Sequence, residues 1–465
     1  MIQLNRAMMA RYEIPDRRPT ALRAALIGAN QRMLGVAARL LDRANEGGAN
    51  LGAICVTPAA EALRAQDCMF TLLIRGEAED ARPIREERVV QSILQAAAPE
   101  DAQALRAAAV APKLDLIFLS ADCSVLEMAA LARLLRLRWA AGMRAPALLL
   151  ADGAPGAESA PAARDALRLL AREMEAGADF DAWLESMPAQ ALLCDALCGP
   201  LDERERARAE HDMNYRDAFI AWAEPQLRCV PELRAPEGLE AVLSAEDFAA
   251  ACARKSQIFD ALVFLCAAPG FLCGMDSFAQ ALADESLRAW IGRAFFDEIL
   301  PLLPWPREEI APEVISAFNR LENPMNRMPL LELGRGLMRG FSRTLLPAVR
   351  RWAEQNFEAP PRLSLALAAA VMLYAGARRS ADGRYEVLRG DAAFPIWDAP
   401  EILDAFSQLA HDVPAETLAY AALADRDVWG ADLREIDGLE LRVSLSLSAI
   451  QRAGFREAMK LQAQD

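Results

Sequence analysis

Residues 22–44 read LRAALIGANQRMLGVAARLLDRA. Leu22 to Ile27 is an apolar run of strand length that stops at Gly28, and beyond it apolar residues recur with helical spacing to Ala44. A glycine at a strand end lets a phosphate approach the backbone, and the amides and dipole of the following helix meet its negative charge. Gly28 is therefore the phosphate-loop candidate, with Asn30 and Arg32 in the same turn. The pattern is partial, since GxGxxG is replaced by Gly28-Ala29-Asn30-Gln31-Arg32-Met33-Leu34-Gly35. An ordinary strand-to-helix turn accounts for the same residues.

Working outward, GAICVTP (52–58), LDLIFLSAD (114–122), PALLLADG (146–153) and AQALLCDALCG (189–199) each read as an apolar strand ending at small or polar residues. Helical patterns separate them. This alternation predicts an α/β fold with a mainly parallel sheet covered by helices, and ligands at the carboxyl ends of the strands. The second strand ends at Val56-Thr57-Pro58 with no acid to accept hydrogen bonds from a ribose. Thr57 joins the cofactor-binding candidates on that account, and the choice between NAD and NADP stays open. Arg75, closing the strand-like CMFTLLIRG (68–76), is a second basic residue for phosphate, and a solvated face suits it or Arg32 equally well. A Gly/Pro/Ser-rich loop, 152–165, precedes an expected helix from Asp165 to Ala176.

Beyond about residue 245 strand-like alternation nearly disappears. Helices are expected over 244–265, 277–303, 309–319, 330–354 and 363–374, with an irregular excursion at 384–400 before a last helical pair. The domains implied are 1–245 and a mostly α-helical 246–465.

The chain has 465 residues and a formal charge of −15, which repels phosphate backbones and anionic membrane surfaces. Nucleic acid and membrane are therefore not expected partners. No uninterrupted run of about twenty apolar residues stands out, and the N-terminus lacks the apolar segment and cleavage site of a secretory signal, so a cytoplasmic location is expected. Nine cysteines are scattered, and Cys194 and Cys198 lack the second pair or histidine that would complete a zinc site. Buried free thiols and no metal are the expectation. His211 and His411 sit in polar surroundings, and neither completes a Ser-His-Asp or Cys-His arrangement.

Several segments in order, LGAICVTPAAEALRAQDCMFTLLIRG (51–76), MNYRDAFIAWAE (213–224), ARKSQIFDALVFLCAAPGFLCGMDSF (253–278), NRLENPMNRMPLLELGRG (319–336), FSRTLLPAVRRW (341–352) and PPRLSLALAAAVMLYAG (360–376), make the chain resemble the mannitol dehydrogenase, or long-chain polyol dehydrogenase, family, nearest its tagaturonate reductase (altronate oxidoreductase) branch. The resemblance implies a Rossmann-type N-terminal domain, a helical C-terminal domain, NAD or NADP as cofactor, no obligatory metal, and hydride transfer to or from a small-molecule sugar acid or polyol. The family's catalytic helix carries Lys, four residues, Asn, two residues, His. Here Lys255 is kept, Asp260 takes the asparagine position and Val263 the histidine position.

Lys255 and Asp260 are accordingly the catalytic candidates. A lysine with a lowered pKa serves as acid in carbonyl reduction and as base in alcohol oxidation, whereas a nearby aspartate favours the charged form. Arg320 and Asn323-Pro324 match the family's Arg-x-x-Asn-Pro, so Arg320 and Asn323 are the substrate-binding candidates. Gly274 and Asp276 match the loop after the catalytic helix. Other positions depart from the family: its Gly-x-Gly-Asn-Phe loop is matched only by Gly28-Ala29-Asn30, Ala121 and Asp122 replace expected polar groups, Ala151-Asp152-Gly153 stands for Pro-Cys-Glu, and Met328 for a histidine. A catalytically silent homologue that binds a nucleotide, metabolite or protein partner is the competing reading.

Overall fold

The apolar runs pair into a seven-stranded sheet in the computed structural model, which describes residues 2–28, 33–77, 82–120, 123–151, 163, 165–169, 178–324, 328–381 and 383–462. In chain order its strands are β1 (Leu22–Ile27), β2 (Gly52–Val56), β3 (Ile93–Ala97), β4 (Leu116–Ser120), β5 (Ala147–Ala151), β6 (Ala189–Asp195) and β7 (Arg228–Pro231). Their order in space is β7-β6-β5-β4-β1-β2-β3, parallel throughout except for β7. Each central strand is apolar on both faces because helices cover both. The order reverses between β1 and β4, and in sheets of this kind the point beyond their carboxyl ends at such a switch is where ligands bind.

The chain divides into two compact units, Met1–Cys252 and Ala253–Asp465, so the division falls within the helix Phe248–Leu272. In the first unit a smaller four-stranded sheet is built on the hairpin Phe70–Glu77 and Pro83–Val90, extended by Ala221–Ala223 and Cys198–Pro200. Asp217, fully buried, ties this sheet down: it accepts hydrogen bonds from Gln66 Nε2 (2.7 Å), from the Phe219 amide (2.8 Å) and from the Thr71 amide. Strand Ile93–Ala97 was not among the expected strands. Of the helix expected from Asp165 to Ala176, residues 165–169 are helical and the rest lies outside the described residues.

The second unit is dominated by helices. Ala261–Leu272 and Pro361–Ala375 are buried on nearly all sides and pack together, and Leu439–Ala453 packs on the latter. The helix Phe248–Leu272 is long and apolar enough to cross a membrane by length and composition, but 72% of its apolar window is buried inside the protein. The expected helix 330–354 is three helices, Leu330–Leu333, Leu337–Thr344 and Leu346–Asn356, because Gly336 turns left-handed (φ +67°) between the first two. Residues 384–400 are not irregular as expected. Arg378–Arg379, Tyr385–Arg389 and Ala392–Pro395 form a three-stranded antiparallel sheet, turned at Gly390 (φ +61°). More than a pair of helices follows, ending at Phe455–Gln462.

Candidate functional site

Gly28 stands immediately after β1 with φ +75°, a conformation that a side chain resists. A Cβ there would meet Ser120 Cβ at 3.0 Å and Cys123 Cα and Cβ at 3.3 Å, so the strand end is narrowed until only hydrogen fits. Gly35 plays a different part: a Cβ would stand 2.5 Å from Cys198 Sγ, and its absence lets the helix after the turn lie against the small sheet. These two glycines, seven apart, divide between them the tight-turn and close-packing roles that a dinucleotide fingerprint assigns to its first and last glycines. Asn30 and Arg32, with Ala29 and Gln31, lie outside the described residues, as do Ala121, Asp122, Asp152 and Gly153.

Thr57 follows β2, buried; its amide donates to Ala97 O (3.0 Å) and its Oγ1 accepts from the Ala59 amide (3.4 Å). It closes its own turn and brings no charge to the strand end. Arg75 is turned to its hairpin, donating to Glu86 O (2.8 Å) and Ile74 O (3.1 Å). Across the switch point from Gly28, Ser124 and Glu127 form a reciprocal cap on the helix Val125–Ala140, with Ser124 Oγ donating to Glu127 Oε2 (2.7 Å). Burial and this carboxylate push the Cys123 thiol up to about 12, which removes it as a nucleophile near neutral pH. The Gly28 turn suits the close approach of a dinucleotide phosphate, and Thr57 brings no charge that selects between NAD and NADP.

In the second unit, Lys255 and Asp260 are joined by a local distortion. Residues Ser256–Asp260 form a π turn, whose i→i+5 pattern stacks residue 260 over residue 255. In an α-helix five residues place two side chains about 140° apart. Here Lys255 Nζ donates to Asp260 Oδ1 at 2.7 Å, with the lysine side chain 19% and the aspartate 41% exposed. Phe259 lies between two cations: Lys255 Nζ is 5.7 Å and Arg320 Cζ 4.4 Å from its ring centroid. Arg320 comes from the helix Arg307–Glu322, which is fixed to the lysine helix by Arg254 through Glu313 (3.1 Å) and Glu309.

Glu309, Glu313 and Arg320 share one face of that helix. The opposite face, with Ile315, Phe318 and Glu322, lines a groove of about 1070 Å³ in which Phe318 stacks on Phe296 (centroids 5.7 Å apart). This groove is a volume without the lysine, and chemistry points to the other face. Asn323 ends the helix, its amide donating to Asn319 O (3.0 Å). Asp276 pairs with Arg389, and its carbonyl accepts from the Leu330 amide (2.9 Å), so the retained Gly274–Asp276 loop is a stitch between segments. Val263 and Met328 are buried. His211 and His411 are exposed.

The structure thus brings together Lys255, Asp260 and Arg320, and adds Phe259, which the sequence reading passed over as helix filler. One signal was available: lysine occurs only at 113, 255 and 460 among 51 basic residues. A chain that uses arginine almost everywhere keeps at 255 the one cation type able to release a proton. Among the described residues no group of three or more His, Cys, Asp or Glu is placed to hold a metal ion. None of the nine cysteines is joined in a disulfide.

No family model matches the chain. It is 30% identical over 313 residues to an altronate oxidoreductase of Cronobacter sakazakii, covering 64% of this chain and 62% of that one, and 27% identical over 314 residues to that of an Escherichia coli strain, covering 64% and 63%. The chain therefore matches less than two thirds of the length of these relatives. Among solved structures, the mannitol 2-dehydrogenase of Pseudomonas fluorescens, in complex with NAD and D-mannitol, superposes with a TM-score of 0.77 at 18% identity over 100% of both chains. A substrate-free D-sorbitol dehydrogenase gives 0.69 at 16%, covering 99% of this chain and 100% of that one. The chain is homologous to altronate oxidoreductases over 64% of its length, and its fold is that of the mannitol and sorbitol dehydrogenases.

Proposed function

We propose that the chain is an NAD- or NADP-dependent oxidoreductase that moves a hydride between the nicotinamide and a sugar acid or polyol, with tagaturonate-like ketouronates as leading substrates. The observation that carries this reading is the convergence of Lys255 and Arg320 on Phe259, within a chain homologous to altronate oxidoreductases. When bound, the reduced nicotinamide supplies the hydride. The Gly28 turn, with Asn30 and Arg32 following in sequence, holds the pyrophosphate, and Thr57 borders the ribose. Lys255 gives a proton to the alkoxide oxygen in reduction and takes one from the alcohol in oxidation. Arg320, planar and fixed against Phe259, offers N–H donors to a carboxylate or to adjacent hydroxyls. Asn323 terminates the same helix beside it. A cytoplasmic location belongs to the same reading.

One observation favours a second reading, in which the chain binds a nucleotide or metabolite without turning it over. The Lys255 amine is engaged by Asp260, and the position of the family's histidine is a buried valine. Calorimetric titration with NADH and NADPH separates the two, followed by an absorbance assay of nicotinamide oxidation with ketouronates and of its reduction with aldonates and polyols. One-site binding and turnover support the oxidoreductase. Binding without turnover on any of these substrates leaves the silent homologue.

A further inference from the structure

A lysine and an aspartate five residues apart do not meet on a regular helix, and the π turn between them has one visible product, the 2.7 Å contact. We propose that Asp260 is the positioning residue of Lys255: it holds the amine as an ammonium aimed along the turn, so that the lysine enters the reaction as a proton donor. The inference rests on the oxidoreductase reading and deepens it, since it names the group that sets the protonation state of the lysine. In that step the hydride forms the new C–H bond, one Lys255 N–H bond breaks, and the proton completes the O–H bond of the product. The neutral amine left behind is reprotonated from solvent, to which both side chains retain partial access.

The charges around the turn decide how strong the hold is. On the lysine's own helix Arg254 lies next to it, but that guanidinium is committed to Glu309 and Glu313 of the helix Arg307–Glu322. The same helix contributes Arg320, a like charge on the Phe259 ring, which disfavours the ammonium. The helix Leu337–Thr344, packed against the turn, carries Arg339 and Arg343. Among these groups Asp260 is the carboxylate seen in direct contact with the Lys255 amine, at 2.7 Å. An opposite charge at that distance favours the ammonium, and its removal favours the neutral amine, the form a base needs.

With lysine only at positions 113, 255 and 460, each amine is readable separately. Wild type, Asp260→Asn and Asp260→Glu are labelled with trace acetic anhydride from pH 6 to 11, and acetylation of Lys255 is measured by mass spectrometry against exposed Lys113. The Lys255 midpoint is expected to fall by about one pH unit in Asp260→Asn, and Asp260→Glu is expected to recover part of it. The alkaline limb of the carbonyl-reduction profile is expected to move by the same amount. An unchanged Lys255 midpoint in Asp260→Asn overturns the proposal even if the protein turns over substrate. A shifted midpoint with no turnover in wild type overturns instead the oxidoreductase reading, and the proton-donor role with it.

Discussion

Replacing Gly28 by alanine tests whether the strand end is shaped for a phosphate. Two costs add. An alanine held at φ near +75° pays roughly 1–2 kcal/mol for its left-handed backbone. Its Cβ also meets Ser120 Cβ at 3.0 Å and Cys123 Cα at 3.3 Å. Neither is the far end of a flexible side chain, so the ends of β1 and β4 must part, at roughly 1–2 kcal/mol more. The total, about 2–4 kcal/mol, corresponds to a fall in melting temperature of roughly 4–16 °C for a unit of this size. If the turn amides hold a pyrophosphate, displacing them weakens NADH or NADPH binding by about tenfold or more, since tenfold is only about 1.4 kcal/mol.

Gly35→Ala is the matched control. Its Cβ would stand 2.5 Å from Cys198 Sγ, so it loosens the helix from the small sheet without touching the turn. It is expected to lower the melting temperature while leaving the dissociation constant, measured by calorimetry on folded protein, within about a factor of three, under roughly 0.7 kcal/mol. An unchanged melting temperature in Gly28→Ala would refute the steric argument. A lowered one with unchanged affinity would leave Gly28 an ordinary strand-to-helix turn.

Lys255→Ala is expected to lower turnover by about 10²–10⁴-fold with cofactor affinity unchanged, as read by rapid kinetics and calorimetry, and Lys255→Arg should not rescue it because arginine does not release its proton. Arg320→Ala is expected to raise KM for a sugar acid by roughly 10–100-fold, the worth of a charge-assisted hydrogen bond, and to change KM for a polyol less; equal effects on both would remove the carboxylate from its role. Glu298, 1% exposed, caps the helix Pro361–Ala375 through the amides of Arg362 (2.9 Å) and Leu363 (2.8 Å), and burial holds its carboxyl above the usual range. Because the folded pKa is raised, the unfolded chain loses this proton first, and stability falls as pH rises from about 4.5 through the folded value. The stability of wild type relative to Glu298→Gln, from denaturant melts, should shrink over that window, and growth instead would reverse the assigned cause. Val263→His is expected to destabilise the protein by roughly 1–3 kcal/mol with no gain in turnover.

The sheet was legible because strands buried on both faces must be apolar throughout, as in LRAALI, LIFLS and ALLLA, and because Gly28 punctuates the first of them. Strand Ile93–Ala97 was missed because it is an edge strand whose SILQAAAP reads equally as helix. The sheet at residues 378–395 was missed for a related reason: its flanking strands expose Arg378, Arg379, Ala392 and Ala393, and only Tyr385 and Val387 of the short central strand alternate as buried residues. At the candidate site, the family resemblance gave Lys255 and Asp260 but not the contact between them. A π turn adds one residue to one turn, and no propensity scale marks where that residue goes. Phe259 was hidden for another reason, since an aromatic within an apolar helix reads as core whether it packs inward or carries cations.

The buried valine clarifies what the turn is for. From Ala261 to Phe271 every residue of the helix is buried, and Phe264 packs on Phe341 with centroids 5.1 Å apart. A histidine at 263 would bring two polar ring nitrogens into that interior, where a polar group left unpaired is costly. The helix face that would present an imidazole is committed to packing. Between Lys255 and Val263 the only ionisable side chains are Lys255 and Asp260, and both keep access to water. Any proton that this segment exchanges with a substrate must therefore pass through that pair. If the segment serves hydride transfer, the same pair would give the proton in carbonyl reduction and receive it in alcohol oxidation, with Asp260 favouring the ammonium form.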